Sequence, residues 1–123
     1  MNRRIVVTGL GLITPVGNTV ADTWEAIVAG RSGIAPIDTF DTSKFSSRIG
    51  GAIKNFDLES YITPKDARKM DPFIHYGIAS CIQAINDSGL EITDENATRI
   101  GIAYGSGIGG LPGIERGHDA YLA

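Results

Sequence analysis

Arg3-Arg4-Ile5-Val6-Val7-Thr8-Gly9-Leu10-Gly11-Leu12-Ile13-Thr14-Pro15-Val16-Gly17 opens the chain and sets its fold class. After the two arginines the run is β-branched and continuously apolar, the pattern of a strand buried on both faces of a sheet. It stops at Gly9. Three glycines and a proline then punctuate an apolar loop, as expected where backbone turns tightly against packed neighbours. Beyond the loop the period changes: Asn18 or Thr19 can cap a helix whose apolar residues Val20, Trp24, Ile27 and Val28 share one face, and Gly30 ends it.

A similar sequence of elements returns near the other end of the chain. Arg99-Ile100-Gly101-Ile102-Ala103-Tyr104 reads as a second buried strand, runs into Gly105-Ser106-Gly107-Ile108-Gly109-Gly110, and leads to a helix opening at Pro112. Between the two strands, Arg31 to Ser60 reads as a long excursion with short strands at most, covering the surface of something larger. Pro64 and Pro72 mark helix starts. They predict a short helix near Lys65–Met70 and a long one from Pro72 to Ser88, stopped by Gly89. On the long helix Ile74, Ile78, Cys81, Ile82 and Ile85 fall within a sector of about 100°, the width of a core-facing stripe. Two strands patterned for burial on both faces and separated by about ninety residues do not make a parallel sheet on their own. Residues 1–123 therefore read as the opening of a larger α/β domain that continues past the chain end.

Composition narrows the function classes. Eleven basic against fourteen acidic side chains give a formal charge of -3, so no overall basic field draws the chain to nucleic acid or to an anionic membrane. A single cysteine makes no disulfide framework, and no Cys/His cluster has zinc spacing, so no metal is expected. The amino terminus Met1-Asn2-Arg3-Arg4 is basic, but the apolar run after it is too short for a signal peptide, and no stretch approaches the roughly 20 apolar residues of a membrane-spanning helix. A cytoplasmic location is the expectation.

Candidate chemistry is sparse. Gly105, Gly107 and Gly110 spell G-x-G-x-x-G between a predicted strand and a predicted helix, the context of a dinucleotide-binding turn, while a tight packed glycine turn is the competing reading. The acidic residue that would hold a ribose about twenty positions on falls beyond Ala123. Ser106 lacks the preceding glycine of a nucleophile elbow, because Tyr104 holds that position. Cys81 lies on the apolar stripe and reads as a small hydrophobe. His75 is rotated about 240° from it around the helix, so the two make no dyad. His118 beside Asp119 reads as solvent-facing. Lys65, Arg68 and Lys69 share one face of the short helix. On spacing alone they read as a solvated surface, partly neutralised by Asp66 and Asp71.

Taken together, Arg3 to Gly11 with Thr14-Pro15-Val16-Gly17-Asn18, Gly30-Arg31-Ser32-Gly33-Ile34, Arg68-Lys69-Met70-Asp71 with Phe73, Asp87-Ser88-Gly89-Leu90 and Gly105 to Gly110 closely resemble the amino-terminal part of the β-ketoacyl-acyl carrier protein synthases of fatty acid synthesis, the elongating type II synthases in particular. The resemblance covers the whole chain. It implies the thiolase-like fold, a five-layered α/β architecture of two similar halves, with this chain as the first part of the amino-terminal half. It implies a cytoplasmic homodimer that needs no cofactor, takes acyl and malonyl thioesters from acyl carrier protein, and joins them by decarboxylative Claisen condensation. By the same resemblance no catalytic residue lies within the chain, the nucleophilic cysteine and both histidines belonging to motifs downstream of Ala123. Lys65, Arg68 and Lys69 align with a patch on which the acidic carrier protein docks, reversing the reading from spacing. Gly107 and Ile108 correspond to positions along the acyl-chain pocket near the dimer interface. A chain-length-factor-like homologue without the nucleophile is the alternative within the family, and a dinucleotide-binding module the alternative outside it.

Overall fold

A computed structural model describes residues 3–123; Met1 and Asn2 of the basic amino terminus lie outside the described residues. Four helices carry the architecture: α1 (Val20–Val28), α2 (Pro64–Ala67), α3 (Pro72–Ser88) and α4 (Leu111–Leu122). The sheet among the described residues is a single antiparallel pair, β1 (Ala35–Pro36) with β2 (Ile49–Gly50), in the register Ala35 to Gly50 and Pro36 to Ile49. This pair sits in the excursion between α1 and α2, where short strands were the expectation. Within the same stretch the Asp41 carboxylate accepts from the Ser43 amide at 2.9 Å and from Ser43 Oγ at 3.0 Å. Those bonds hold the Asp41 carboxyl below the usual aspartate range.

The helices begin and end where local chemistry dictates. Thr19 caps α1, its Oγ1 accepting from the Asp22 amide at 3.1 Å. Thr63 does the same for α2 toward Asp66 at 3.3 Å, with Pro64 in the first turn. Pro72 opens α3 and Gly89, at φ 64°, closes it in the left-handed conformation that glycine adopts without strain. α4 starts at Leu111, one residue before the expected Pro112.

Both predicted strands are absent. Arg3–Thr8 and Arg99–Tyr104 find no hydrogen-bonded neighbour among the described residues, and Arg99 instead closes a 3₁₀ turn that starts at Ala97. The physical reason is that a strand is completed only by a partner, and no described segment supplies one to either run. Their apolar residues stay open to solvent, Ile5 at 95% and Ile102 at 69% exposure. The stripe of α1 is uncovered as well, Trp24 being 66% exposed, so the helix buries Thr23 and Ala26 instead of the expected Val20, Trp24, Ile27 and Val28.

α3 is the element on which the other parts converge. The opening glycine loop lies across one side of it so closely that a Cβ on Gly9 would fall on the Ala84 carbonyl oxygen, and one on Gly11 on the Ser80 carbonyl oxygen. Polar side chains of α3 seal that contact. Asp87 Oδ2 accepts from the Leu10 amide at 2.8 Å, and Gln83 Oε1 from the Leu12 amide at 3.2 Å. Farther along the loop, Thr23 of α1 is 3% exposed and its Oγ1 donates to the Gly17 carbonyl at 3.2 Å, tying α1 to the same segment.

Among the described residues the buried hydrophobic core consists of Ala26, Ala67 and Ala79 with one larger side chain, Ile62. Total accessible area is 10021 Å², against about 6,300 Å² for a compact monomer of this mass. We expect the 123-residue chain by itself to bind a hydrophobic dye strongly and to melt over a broad range; a sharp cooperative transition without dye binding would contradict this. Gly11→Ala forces the loop off α3, a change worth about 1–3 kcal/mol. Amide hydrogen exchange at Leu10 and Leu12 reports it, accelerating in the variant.

Candidate functional site

The basic cluster is carried by α2 and the turn that follows it. Lys65 lies in the helix, Arg68 caps it with helical backbone angles, and the Lys69 and Met70 amides bond back to Asp66 and Ala67 at 2.9 and 3.2 Å, so the turn continues the helical path. All three cations are exposed. Lys69 Nζ pairs with Asp66 Oδ1 at 3.2 Å, while Lys65 and Arg68 make no ion pair among the described residues. An exposed pair of this kind contributes little to stability. Asp71, expected to neutralise the cluster, turns away from it and pairs with Arg116 Nη2 of α4 at 3.0 Å.

That placement of Asp71 also decides how the second glycine loop is read. Its carboxylate lies against Gly110, where an added Cβ would collide with Oδ2, and close to Gly113 in the first turn of α4. An acidic side chain thus occupies the helix amino terminus that a pyrophosphate would need. The residues before the loop form no strand. The G-x-G-x-x-G run is therefore a turn packed against an aspartate, and the dinucleotide reading loses its structural context. Within the loop the Gly109 amide donates to Ser106 Oγ at 3.1 Å. Gly107 and Ile108 sit on its exposed outer edge, Ile108 at 74% exposure.

The apolar stripe of α3 is half-buried. Ile74, Ile78, Cys81, Ile82 and Ile85 face Ile102 and Tyr104 across an apolar cleft of about 340 Å³. Cys81 sits among hydrocarbon, as its place on the stripe implied, while His75 faces α2 and places Nε2 3.0 Å from the Ala67 carbonyl oxygen. His118 is exposed beside Asp119, its Nδ1 3.7 Å from the carboxylate. Among the described residues no group of three or more His, Cys, Asp or Glu side chains could hold a metal ion, and no helix is long and apolar enough to cross a membrane.

Gln83 and Asn18 hold the frame together. Gln83 accepts from Leu12 and donates from Nε2 to the Asn18 carbonyl at 2.8 Å and to Tyr61 Oη at 2.9 Å. Asn18, offered above as a cap, reaches away from α1 instead, and its Nδ2 donates to the carbonyls of Lys54 and Asn55 at 2.8 and 3.1 Å. The signal for Gln83 was a polar residue inside the run Cys81-Ile82-Gln83-Ala84-Ile85. A long polar side chain in an apolar helix needs buried partners.

A family model described as "Beta-ketoacyl synthase, N-terminal domain" matches residues 2–121. Among curated proteins, the chain is 61% identical over 120 residues to a 3-oxoacyl-[acyl-carrier-protein] synthase 2 of Vibrio cholerae, with 98% of this chain and 29% of that protein covered. It is 48% identical over 120 residues to the protein of that name from Coxiella burnetii, with 98% and 29% coverage. Among solved structures, "The ishigamide ketosynthase/chain length factor" superposes with a TM-score of 0.64 at 31% identity, covering 74% of this chain and 23% of that one. The chain thus spans less than a third of the length of the curated relatives it matches. By its near end-to-end family match and its structural likeness, the chain belongs to the β-ketoacyl synthases, as part of their amino-terminal domain, and carries part of the thiolase-like fold.

Proposed function

We propose that this chain forms the first part of a condensing enzyme of fatty acid elongation, which makes 3-oxoacyl-carrier protein from malonyl-carrier protein and an acyl thioester. The likeness to 3-oxoacyl-[acyl-carrier-protein] synthases 2 along 98% of the chain supports this reading. In the reaction, a cysteine thiolate displaces the carrier thiol from the acyl thioester. Malonyl thioester loses carbon dioxide, and the carbanion left behind attacks the acyl-enzyme carbonyl, forming the carbon–carbon bond and releasing the cysteine thiolate. None of those reacting groups is assigned to residues 1–123. Their share of the work is to receive the carrier, to border the acyl chain and to contribute to the interface of a cytoplasmic homodimer.

Carrier docking belongs on α2. Lys65 and Arg68 are exposed and lack carboxylate partners among the described residues, so their charge is available to an acidic protein. Lys69 adds to the patch from beside them, although Asp66 shares its charge. A local positive patch on a chain of net charge -3 orients an acidic partner and speeds its encounter without attracting polyanions in general. The acyl chain belongs near Gly107 and Ile108, where flanking glycines let backbone run close to a tunnel. The solved neighbour is named for a chain length factor as well as a ketosynthase, so a non-catalytic homologue is the second reading. Condensation by the complete protein separates the two.

The complete protein is expected to convert malonyl- and acyl-carrier protein into 3-oxoacyl-carrier protein and carbon dioxide, and the 123-residue chain alone to give none. Reversing charge at Lys65 and Arg68 should raise KM for carrier-linked substrate about tenfold, with a much smaller effect on a small thioester. Equal losses on both substrates would count against docking at α2. Ile108→Phe in the complete enzyme should shorten the longest acyl chain accepted, read from product chain lengths, and an unchanged product profile would remove Ile108 from the pocket.

A further inference from the structure

The helix that presents the basic patch cannot hold itself in place. α2 comprises four residues, Pro64–Ala67, a single turn. One turn fixes several backbone torsions for one or two hydrogen bonds and is unstable in isolation. Its position must come from contacts with the rest of the chain. Ile62 and Ala67 are buried and anchor its two ends, but apolar contact is non-directional and leaves the helix free to tilt. The Thr63 cap lies within the turn itself and does not connect it to a neighbour.

A directional tie comes from α3. His75 is half-buried, and its Nε2 lies 3.0 Å from the carbonyl oxygen of Ala67, the last residue of α2. A carbonyl only accepts, so Nε2 is the donor of this bond. The same carbonyl accepts the Met70 amide at 3.2 Å, which uses both of its lone pairs. His75 sits in the first turn of α3, which Pro72 opens, and Asp71 at the head of that turn pairs with Arg116 of α4. The imidazole therefore transmits the position of α3 to the turn between Lys65 and Arg68.

We infer that His75 is a positioning residue for carrier docking, holding the Ala67 carbonyl so that Lys65 and Arg68 are presented at a fixed tilt. This rests on the docking reading of α2. His75 differs from the lysine and arginine in what it controls. They supply charge, which governs long-range attraction and its dependence on salt. His75 supplies orientation, which governs the fit of the docked complex and leaves the salt dependence alone.

The test uses the complete synthase with the same acyl group carried either on acyl carrier protein or on N-acetylcysteamine, at two or more salt concentrations. His75→Ala is expected to raise the ratio of carrier-linked to small-thioester KM about three- to tenfold, the effect of one hydrogen bond. The slope of KM against salt stays as in the parent enzyme. His75→Gln is expected to restore the ratio, because its carboxamide N–H reaches the place of Nε2. His75→Asn, whose amide falls short, should behave as His75→Ala and replaces it if the alanine variant does not fold. Lys65→Glu is the control and should raise the ratio while changing the salt slope. If Lys65→Glu leaves the ratio unchanged, the docking reading fails and takes this inference with it. If Lys65→Glu raises the ratio while His75→Ala leaves it unchanged, or His75→Gln fails to restore it, the role of His75 alone is overturned.

Discussion

The structure depends on a backbone-to-backbone approach. The loop through Gly9 and Gly11 lies so close to the Ser80–Ala84 turn of α3 that the space a Cβ would need is already taken by carbonyl oxygens. Bringing two backbones together this closely removes water from polar groups on both, and those groups require partners. Asp87 and Gln83 supply them from α3 for Leu10 and Leu12. Gln83 extends the arrangement to Asn18 and Tyr61, so α1 and the approach to α2 are placed relative to the same helix. One side of α3 is thereby committed to polar contact with the loop. The apolar side is turned toward Ile102 and Tyr104.

This division of α3 explains which features were legible in the sequence. Helix starts were readable because their causes are local: Pro64 starts α2, Pro72 starts α3 and Gly89 ends it, each acting within a few residues of itself, whereas α2 stops at Ala67, short of the expected Met70. The identity of α3's apolar stripe was readable for the same reason, since periodicity alone selects it. The strands were misread because Ile5-Val6-Val7 and Ile100-Gly101-Ile102 describe only one side of a pairing. Burial patterning records the environment a segment is built for, and this chain does not provide that environment. The cap at α1 was half legible: Thr19 caps as expected, while Asn18 bonds to Lys54 and Asn55 far along the chain.

The candidate site shows the same boundary between local and distant causes. Lys65, Arg68 and Lys69 were visible as a cluster, and the pairing of Lys69 with Asp66 follows from their separation of three residues. Asp71 looked like a further neutralising charge because it is near them in sequence. Its actual partner, Arg116, is 45 residues away, and no spacing rule points to it. The consequence for the patch is direct: with Asp71 engaged elsewhere, Lys65 and Arg68 keep their charge facing solvent. The same aspartate fills the head of α4 and removes the phosphate-binding context that the glycine spacing alone had offered.

The uncovered apolar faces bear on how such a protein is made. In a protein as long as the Vibrio cholerae relative, of which this chain covers 29%, the remainder emerges from the ribosome over some tens of seconds at about 5–20 residues per second. Until later segments cover them, Ile5, Trp24 and Ile102 stand open to water. Exposed apolar surface and unpaired strands on a nascent chain are what holding chaperones bind and what drives aggregation between neighbouring nascent chains. The glycine loop clamped on α3 would give such an intermediate one early fixed point, leaving its strands waiting for partners made later.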